Sequence, residues 1–143
     1  MQIDLIDVKA QYAPLIPQFR EAFERVLASG RFVFGPEVDG FEAEAAAYLG
    51  TSHAIGVANG TDAIVLSLEA MGIGSGDEVI CPSFTFYATA EAIARAGATP
   101  VFADIEPVSL NLDPEDVERR ITPKTKAIMP VHLFGRPAPL AEL

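Results

Sequence analysis

The sequence predicts an α/β fold: a three-layer α/β/α sandwich around a mostly parallel sheet. Two observations carry that expectation. Segments of helical period alternate with short β-like ones along the chain. The β-like segments are separated by helices, which act as crossovers and return the chain to run parallel strands. In open sheets of this kind ligands bind beyond the carboxyl ends of the strands, so residues just after a strand are the first candidates for function. The length, 143 residues, suits one domain able to bury a core.

The elements follow in order. From Tyr12 to Ser29 the residues Leu15, Ile16, Phe19, Phe23, Val26 and Leu27 recur at helical spacing, and Gly30 is the expected stop. Residues 31–36 cannot continue that helix, but Pro36 suits the first turn of the next, which should run to Leu49 and stop at Gly50. His53–Ala58 then reads as a short strand, followed by a helix over Ala63–Met71. Gly72–Asp77 is a loop and Glu78–Cys81 a strand. Pro82–Thr85 should open a helix that ends near Gly97, with Thr99–Asp104 the next strand. Asp113-Pro114-Glu115-Asp116 is a strong helix start, with an N-cap Asp, Pro at the first position and acids in the first turn. Ala127–Leu133 reads as a buried strand, and Ala138–Leu143 as a helix just beginning, which predicts an incomplete domain.

Composition removes several classes of function. Half the residues are apolar and 21% charged, a globular balance rather than that of a disordered tail, a collagen or a disulfide scaffold. Ten Lys and Arg face twenty Asp and Glu, a formal charge of −10 that repels nucleic-acid and anionic membrane surfaces. A local phosphate site stays open, because backbone N–H groups bind phosphate without net positive charge. The single cysteine, Cys81, suits a reducing compartment. The start, Met1–Asp7, lacks the basic and apolar parts of a signal peptide, and no apolar run approaches the ~20 residues of a membrane span. A soluble, cytoplasmic domain is expected.

Two segments could carry chemistry. Val57-Ala58-Asn59-Gly60-Thr61-Asp62-Ala63 takes the chain from a strand into a helix. Helix N-termini offer unpaired N–H groups and partial positive charge, Gly60 lets backbone approach closely, and Thr61 adds a hydroxyl. Phosphate binding is one reading; simple capping by Thr61 or Asp62 is the other. In Pro82-Ser83-Phe84-Thr85-Phe86-Tyr87-Ala88-Thr89, three aromatics lie at a strand's carboxyl end. They could stack on a flat ligand, or Phe84 and Tyr87 could pack in the core while Phe86 covers a helix end. His132 also follows a strand, where a ligand could reach it, but a lone histidine more often has a structural role. His53 reads as a surface or strand-edge residue, and the acids of Glu115–Glu118 as a solvated helix start. No metal-ligand spacing or nucleophile elbow occurs, and Gly72-x-Gly74-x-Gly76 precedes a strand, which disqualifies it as a dinucleotide fingerprint.

An ordered set of motifs runs along the chain. It comprises Ile6-Asp7-Val8-Lys9-Ala10-Gln11, Phe34-Gly35-Pro36-Glu37-Val38 with Phe41-Glu42, and Ala58-Asn59-Gly60-Thr61-Asp62-Ala63. It continues with Gly76-Asp77-Glu78-Val79-Ile80, the aromatic segment from Pro82 to Thr89, and Asn111-Leu112-Asp113-Pro114. It closes with Ile121-Thr122-Pro123-Lys124-Thr125-Lys126-Ala127-Ile128 and Pro130-Val131-His132-Leu133-Phe134-Gly135. With these motifs the chain resembles the N-terminal part of a DegT/DnrJ/StrS-type sugar aminotransferase, a branch of the fold-type-I pyridoxal-phosphate enzymes.

That resemblance implies an incomplete fold-type-I large domain, with a helical segment 1–50 leading into a cofactor-binding α/β part, 51–143. It implies that Gly60, Thr61 and the N–H of Asp62 hold the phosphate of pyridoxal 5'-phosphate, that Phe86 stacks on its ring, and that Thr89 and His132 lie nearby. It makes the loop of Arg31, Phe32 and Phe34 a border of the sugar-nucleotide site, shared across a homodimer. The implied activity moves an amino group from glutamate to a nucleotide-linked keto sugar. No catalytic residue is expected in this chain, because the acid facing the pyridine nitrogen and the Schiff-base lysine both lie beyond the matched motifs. Lys9, Lys124 and Lys126 are the only lysines, and none stands in that context. The chain alone is therefore expected to be inactive. Two alternatives are a non-catalytic module that binds phosphate or a sugar nucleotide, and a truncated product without function.

Overall fold

The protein is described by a computed structural model covering residues 6–143. Residues 1–5, on which the reading of the amino terminus partly rests, lie outside the described residues. The chain divides into two compact units, one ending at Gly56 and the other Val57–Leu143.

The first unit is helical. Asp7 accepts the Ala10 N–H at 2.9 Å and starts α1, Val8–Tyr12. Pro14, which has no N–H to donate, falls in a 3₁₀ turn, Ala13–Leu15, so the helix predicted from Tyr12 onward begins instead as α2, Ile16–Ser29. Gly30 ends α2 in the left-handed region at φ 64°, a conformation that costs glycine nothing. α3 spans Pro36–Leu49, with proline at its first position and Gly50 beyond its end, as predicted. The expected strand over His53–Ala58 does not form. A strand needs a partner, and here the Gly56 N–H donates to the Glu42 carboxylate at 2.6 Å instead. Gly35 is the one buried residue among the described residues of this unit, while Phe19, Phe23, Phe41 and Tyr48 are exposed.

The second unit is the predicted sandwich. α4, Gly60–Ala70, leads to β1, Glu78–Pro82; α5, Ala88–Arg95, to β2, Thr99–Ala103; and α6, Pro114–Arg120, to β3, Thr125–Ile128. The three strands are parallel, in the order β2-β1-β3. Side chains alternate across β1. Val79 and Cys81 pack with Leu68 of α4, Ile93 of α5, Ile73 and Ala98. Ile80, on the opposite face, packs with Ala103, Leu112 and Val117 of α6. Helices therefore cover both faces. Burial pushes the Cys81 thiol up to about 11.

Two elements and one side chain of this unit differ from expectation as follows. Ser83 still donates to Ala103 O, continuing the ladder, so the following helix opens at Ala88 rather than at Pro82. β3 begins before Ala127 and stops at Ile128; Met129 makes one more bond to Ile80 O, but Pro130 cannot donate and the chain leaves the sheet. Asp116 is buried, not solvated: it accepts the Asp104 N–H at 2.7 Å and pairs with Arg120 at 2.6 Å and Arg119 at 3.0 Å. Its acid fellows Glu115 and Glu118 do stay exposed.

The Arg120 guanidinium, then the Asp104 N–H, hold the Asp116 carboxyl down from 3.8 to about 2. A carboxyl depressed on folding contributes stability that is present above its unfolded pKa and is lost as pH falls through the folded one. Melting temperature should therefore fall between pH 3.8 and about 2 in the parent chain, and Asp116→Asn should flatten that segment of the profile. A profile identical in the variant would show that Asp116 carries none of this acid sensitivity.

Candidate functional site

The turn before α4 is built by Asn59, not by the residues expected to cap it. Asn59 is extended, its Oδ1 accepts the Asp62 N–H at 2.9 Å, and its carbonyl accepts the Ala63 N–H at 3.1 Å. α4 thereby starts at Gly60, three residues before the predicted position. The N–H groups of Gly60 and Thr61 and the Thr61 hydroxyl have no partner among the described residues. A Cβ placed on Gly60 would meet nothing within 4 Å, so the turn is open to an approaching group. The Asp62 N–H, expected as a phosphate donor, is already held by Asn59.

Asp62 poses an electrostatic question, since an acid at such a turn should repel an anion. Its carboxylate is held by two partners, accepting from Asn59 Nδ2 at 3.0 Å and pairing with Arg95 of α5 at 3.1 Å, so its charge is balanced. Arg95 was not singled out in the sequence. Its distance of 33 residues from Asp62 leaves no local pattern to find it by.

A cavity of about 470 Å³ lies beside α4, lined by Ala63, Ile64, Ser67, Leu68 and Met71, by Thr89 of α5, and by Met129–His132 after β3. It brings together two of the expected site residues, Thr89 and His132. Thr89 is buried, with its hydroxyl 3.1 Å from that of Thr85. His132 accepts the Ala138 N–H on Nδ1 at 2.9 Å. Phe86 does not line this cavity; its side chain stands 78% exposed at the carboxyl rim of β1. Phe84 and Tyr87 are exposed too, so the reading that packs them in the core fails. The loop that carries all three aromatics projects past the end of the sheet.

In the helical unit the loop after α2 is shaped by its own residues. Arg31 donates from Nη2 to Phe34 O at 2.9 Å, and Phe34 sits at φ 49°, where few non-glycine residues go. Arg31 and Phe32 line a cavity of about 270 Å³ with Arg25, Ser29 and Glu37; Phe34 does not, and is exposed. Arg25 and Glu37 pair at 2.8 Å on the surface.

Neither lysine of the second unit lines its cavity. Lys124 precedes β3 and Lys126 lies within it, toward the amino end of the strand, whereas the cavity opens after its carboxyl end. Among the described residues no cluster of three His, Cys, Asp or Glu is arranged for a metal, and no helix is long and apolar enough to cross a membrane.

A parallel three-layer sheet with an open helix turn and a cavity at its carboxyl end defines a class that comparison then specifies. The chain belongs to the DegT/DnrJ/EryC1/StrS aminotransferase family, whose profile matches residues 15–143. It is 49% identical to the dTDP-3-amino-3,4,6-trideoxy-alpha-D-glucose transaminase of Streptomyces venezuelae over 99% of this chain and 38% of that one. The crystal structure of S. venezuelae DesV superposes with a TM-score of 0.94 at 48% identity, again over 99% of this chain and 38% of the other. NtdA from Bacillus subtilis, solved with bound cofactor PMP, gives 0.85 at 38% identity, over 89% of this chain and 29% of that one. The chain spans 37–39% of the length of the curated relatives it matches first.

Proposed function

We propose that this chain supplies the phosphate-holding turn and one wall of the cofactor cavity of a pyridoxal-phosphate-dependent aminotransferase acting on a nucleotide-linked keto sugar. In this reading residues 1–50 form a helical lead and 51–143 the cofactor-binding part of one incomplete domain. Glutamate is the amino donor, the complete enzyme is a cytoplasmic homodimer, and the loop of Arg31, Phe32 and Phe34 borders the sugar nucleotide.

The observation that carries the proposal is the turn before α4, with two N–H groups and one hydroxyl unpaired among the described residues and open space where a Cβ on Gly60 would stand. This donor set fits a phosphate. The adjoining cavity, reached at Ala63, suits a small flat ring, with Ser67, Thr89 and His132 as its polar side chains. Pyridoxal phosphate, once bound, carries the amino group between donor and acceptor and acts as the electron sink. The chain's own residues do other work. Gly60 and Thr61 bind the phosphate, Phe86 offers a ring face for stacking, Thr89 and His132 orient the ring, and Arg95 balances the Asp62 charge beside the turn. Both lysines near β3 lie at the strand's amino end, which favours a binding rather than a bond-making role for these residues taken alone.

The test is Thr61→Val in the complete enzyme, measured as affinity for pyridoxal 5'-phosphate. Removing one hydroxyl from a charged partner should cost ~1.5–3 kcal/mol. Unchanged affinity would sink the assignment of Thr61 to the phosphate.

A further inference from the structure

Asn111 is the most deeply buried polar residue of the second unit, at 2% exposure, and the proposed function gives it no task. It sits in the connection between β2 and α6, fixed there by an Ile105–Leu112 bridge and by the Glu106 N–H bonded to its carbonyl at 2.9 Å. Its side chain reaches across to a different segment. Nδ2 donates to Pro137 O at 2.9 Å and to Arg136 O at 3.3 Å, while Oδ1 accepts the Leu133 N–H at 3.4 Å. One amide therefore ties both ends of the loop 133–137, using both its donors.

The next residue in that loop is Ala138, whose N–H points at His132 Nδ1. A nitrogen that accepts a hydrogen bond carries no proton, so the neutral imidazole bears its proton on Nε2. His132 also lines the cavity beside α4. With Nδ1 taken, Nε2 is the nitrogen left for a ligand, and it can only donate.

We propose that Asn111 is a positioning residue: by holding Arg136 and Pro137 it aims the Ala138 N–H at His132 and fixes that side chain as an Nε2–H donor for a ligand with an acceptor oxygen. The bond network stands independently of what fills the cavity; the identity of the ligand as pyridoxal phosphate rests on the function proposed above.

The experiment is ¹⁵N NMR on the full 143-residue chain at about pH 8.5, where free imidazole is neutral. The chain has two histidines, so His132→Gln assigns the signals. The expected result is a single Nε2–H tautomer for His132, with a scalar coupling across the Ala138 N–H···Nδ1 bond. Asn111→Asp, which keeps the volume and loses the donors, should abolish the coupling and move His132 toward a tautomer mixture. An Nδ1–H form or an averaged pair in the parent chain overturns the proposal. So does an unchanged His132 spectrum in folded Asn111→Asp. Should that variant not fold, Ala138→Pro removes the donor itself, and a tautomer unaffected by that change overturns the proposal equally.

Titration of the complete enzyme with pyridoxal 5'-phosphate supplies the second arm. Asn111→Asp and His132→Phe should each weaken binding about tenfold and the double variant no further, because both act through one contact. Fully additive losses, about a hundredfold together, overturn the linkage. A complete enzyme that binds no pyridoxal phosphate, beside a 143-residue chain with the fixed tautomer, refutes the cofactor reading and leaves the positioning network established.

Discussion

Ile80→Ala should destabilise the second unit by ~2–5 kcal/mol, a large part of the ~5–15 kcal/mol that holds a typical domain folded. Ile80 is fully buried at the centre of the middle strand, with Ala103 beside it and Leu112 and Val117 closing the α6 face. Removing three carbons there loses their transfer free energy and leaves a void that neighbours pinned in strands and helix cannot close. Urea unfolding measures it. The midpoint should drop at constant slope, and Ile80→Val should cost only ~0.5–1.5 kcal/mol. A loss below that of the valine variant would mean that the α6 layer is not packed on the sheet.

Gly35→Ala should have the next largest effect, and its cause is contact rather than backbone conformation. Gly35 sits at φ −92°, open to any residue, but a Cβ there would lie 2.6 Å from the Arg31 carbonyl oxygen. Backbone must shift to admit it, at ~1–3 kcal/mol for an overpacked site. Gly35 O accepts the N–H groups of Val38 and Asp39, at 2.9 and 3.2 Å, so the shift reaches the first turn of α3. Hydrogen exchange at those two amides should accelerate in the variant while the amides of β1 keep their protection. Equal rates at Val38 and Asp39 would show that the loop absorbs the methyl without cost.

What the sequence revealed follows the reach of each signal. Gly30, Gly50, Pro36 and the pair Asp113-Pro114 act within one helical turn, and the helix ends they predict occur where they predict them. The alternation of strand and helix gave the three layers for the same local reason. Strand limits depend on partners far along the chain, which is why His53–Ala58 lacks a ladder and β3 is cut short at Pro130. In the candidate site, His132 was visible because it follows a strand, and Thr89 because the family resemblance implied it. Asn111 and Arg95 were not, since their bonds span 25 or 26 and 33 residues. Asn59 was legible as a turn residue, but only its bond to the Asp62 N–H shows that it, rather than Thr61, is the cap.

The pairing of Asp62 with Arg95 sets how ionic strength acts on the turn before α4. The pair brings the nearby side-chain charge to zero, so the pull on an anion comes from fixed backbone dipoles at contact distance. The opposing push comes from the rest of a chain with net charge −10, spread over the whole surface. Salt treats the two differently, because the screening length shrinks from ~30 Å at 0.01 M to ~10 Å at 0.1 M. The distant repulsion is screened while the short hydrogen bonds are not. Anion capture at this turn should therefore tighten as inert salt is first added, the reverse of a site that recruits phosphate with exposed lysine or arginine.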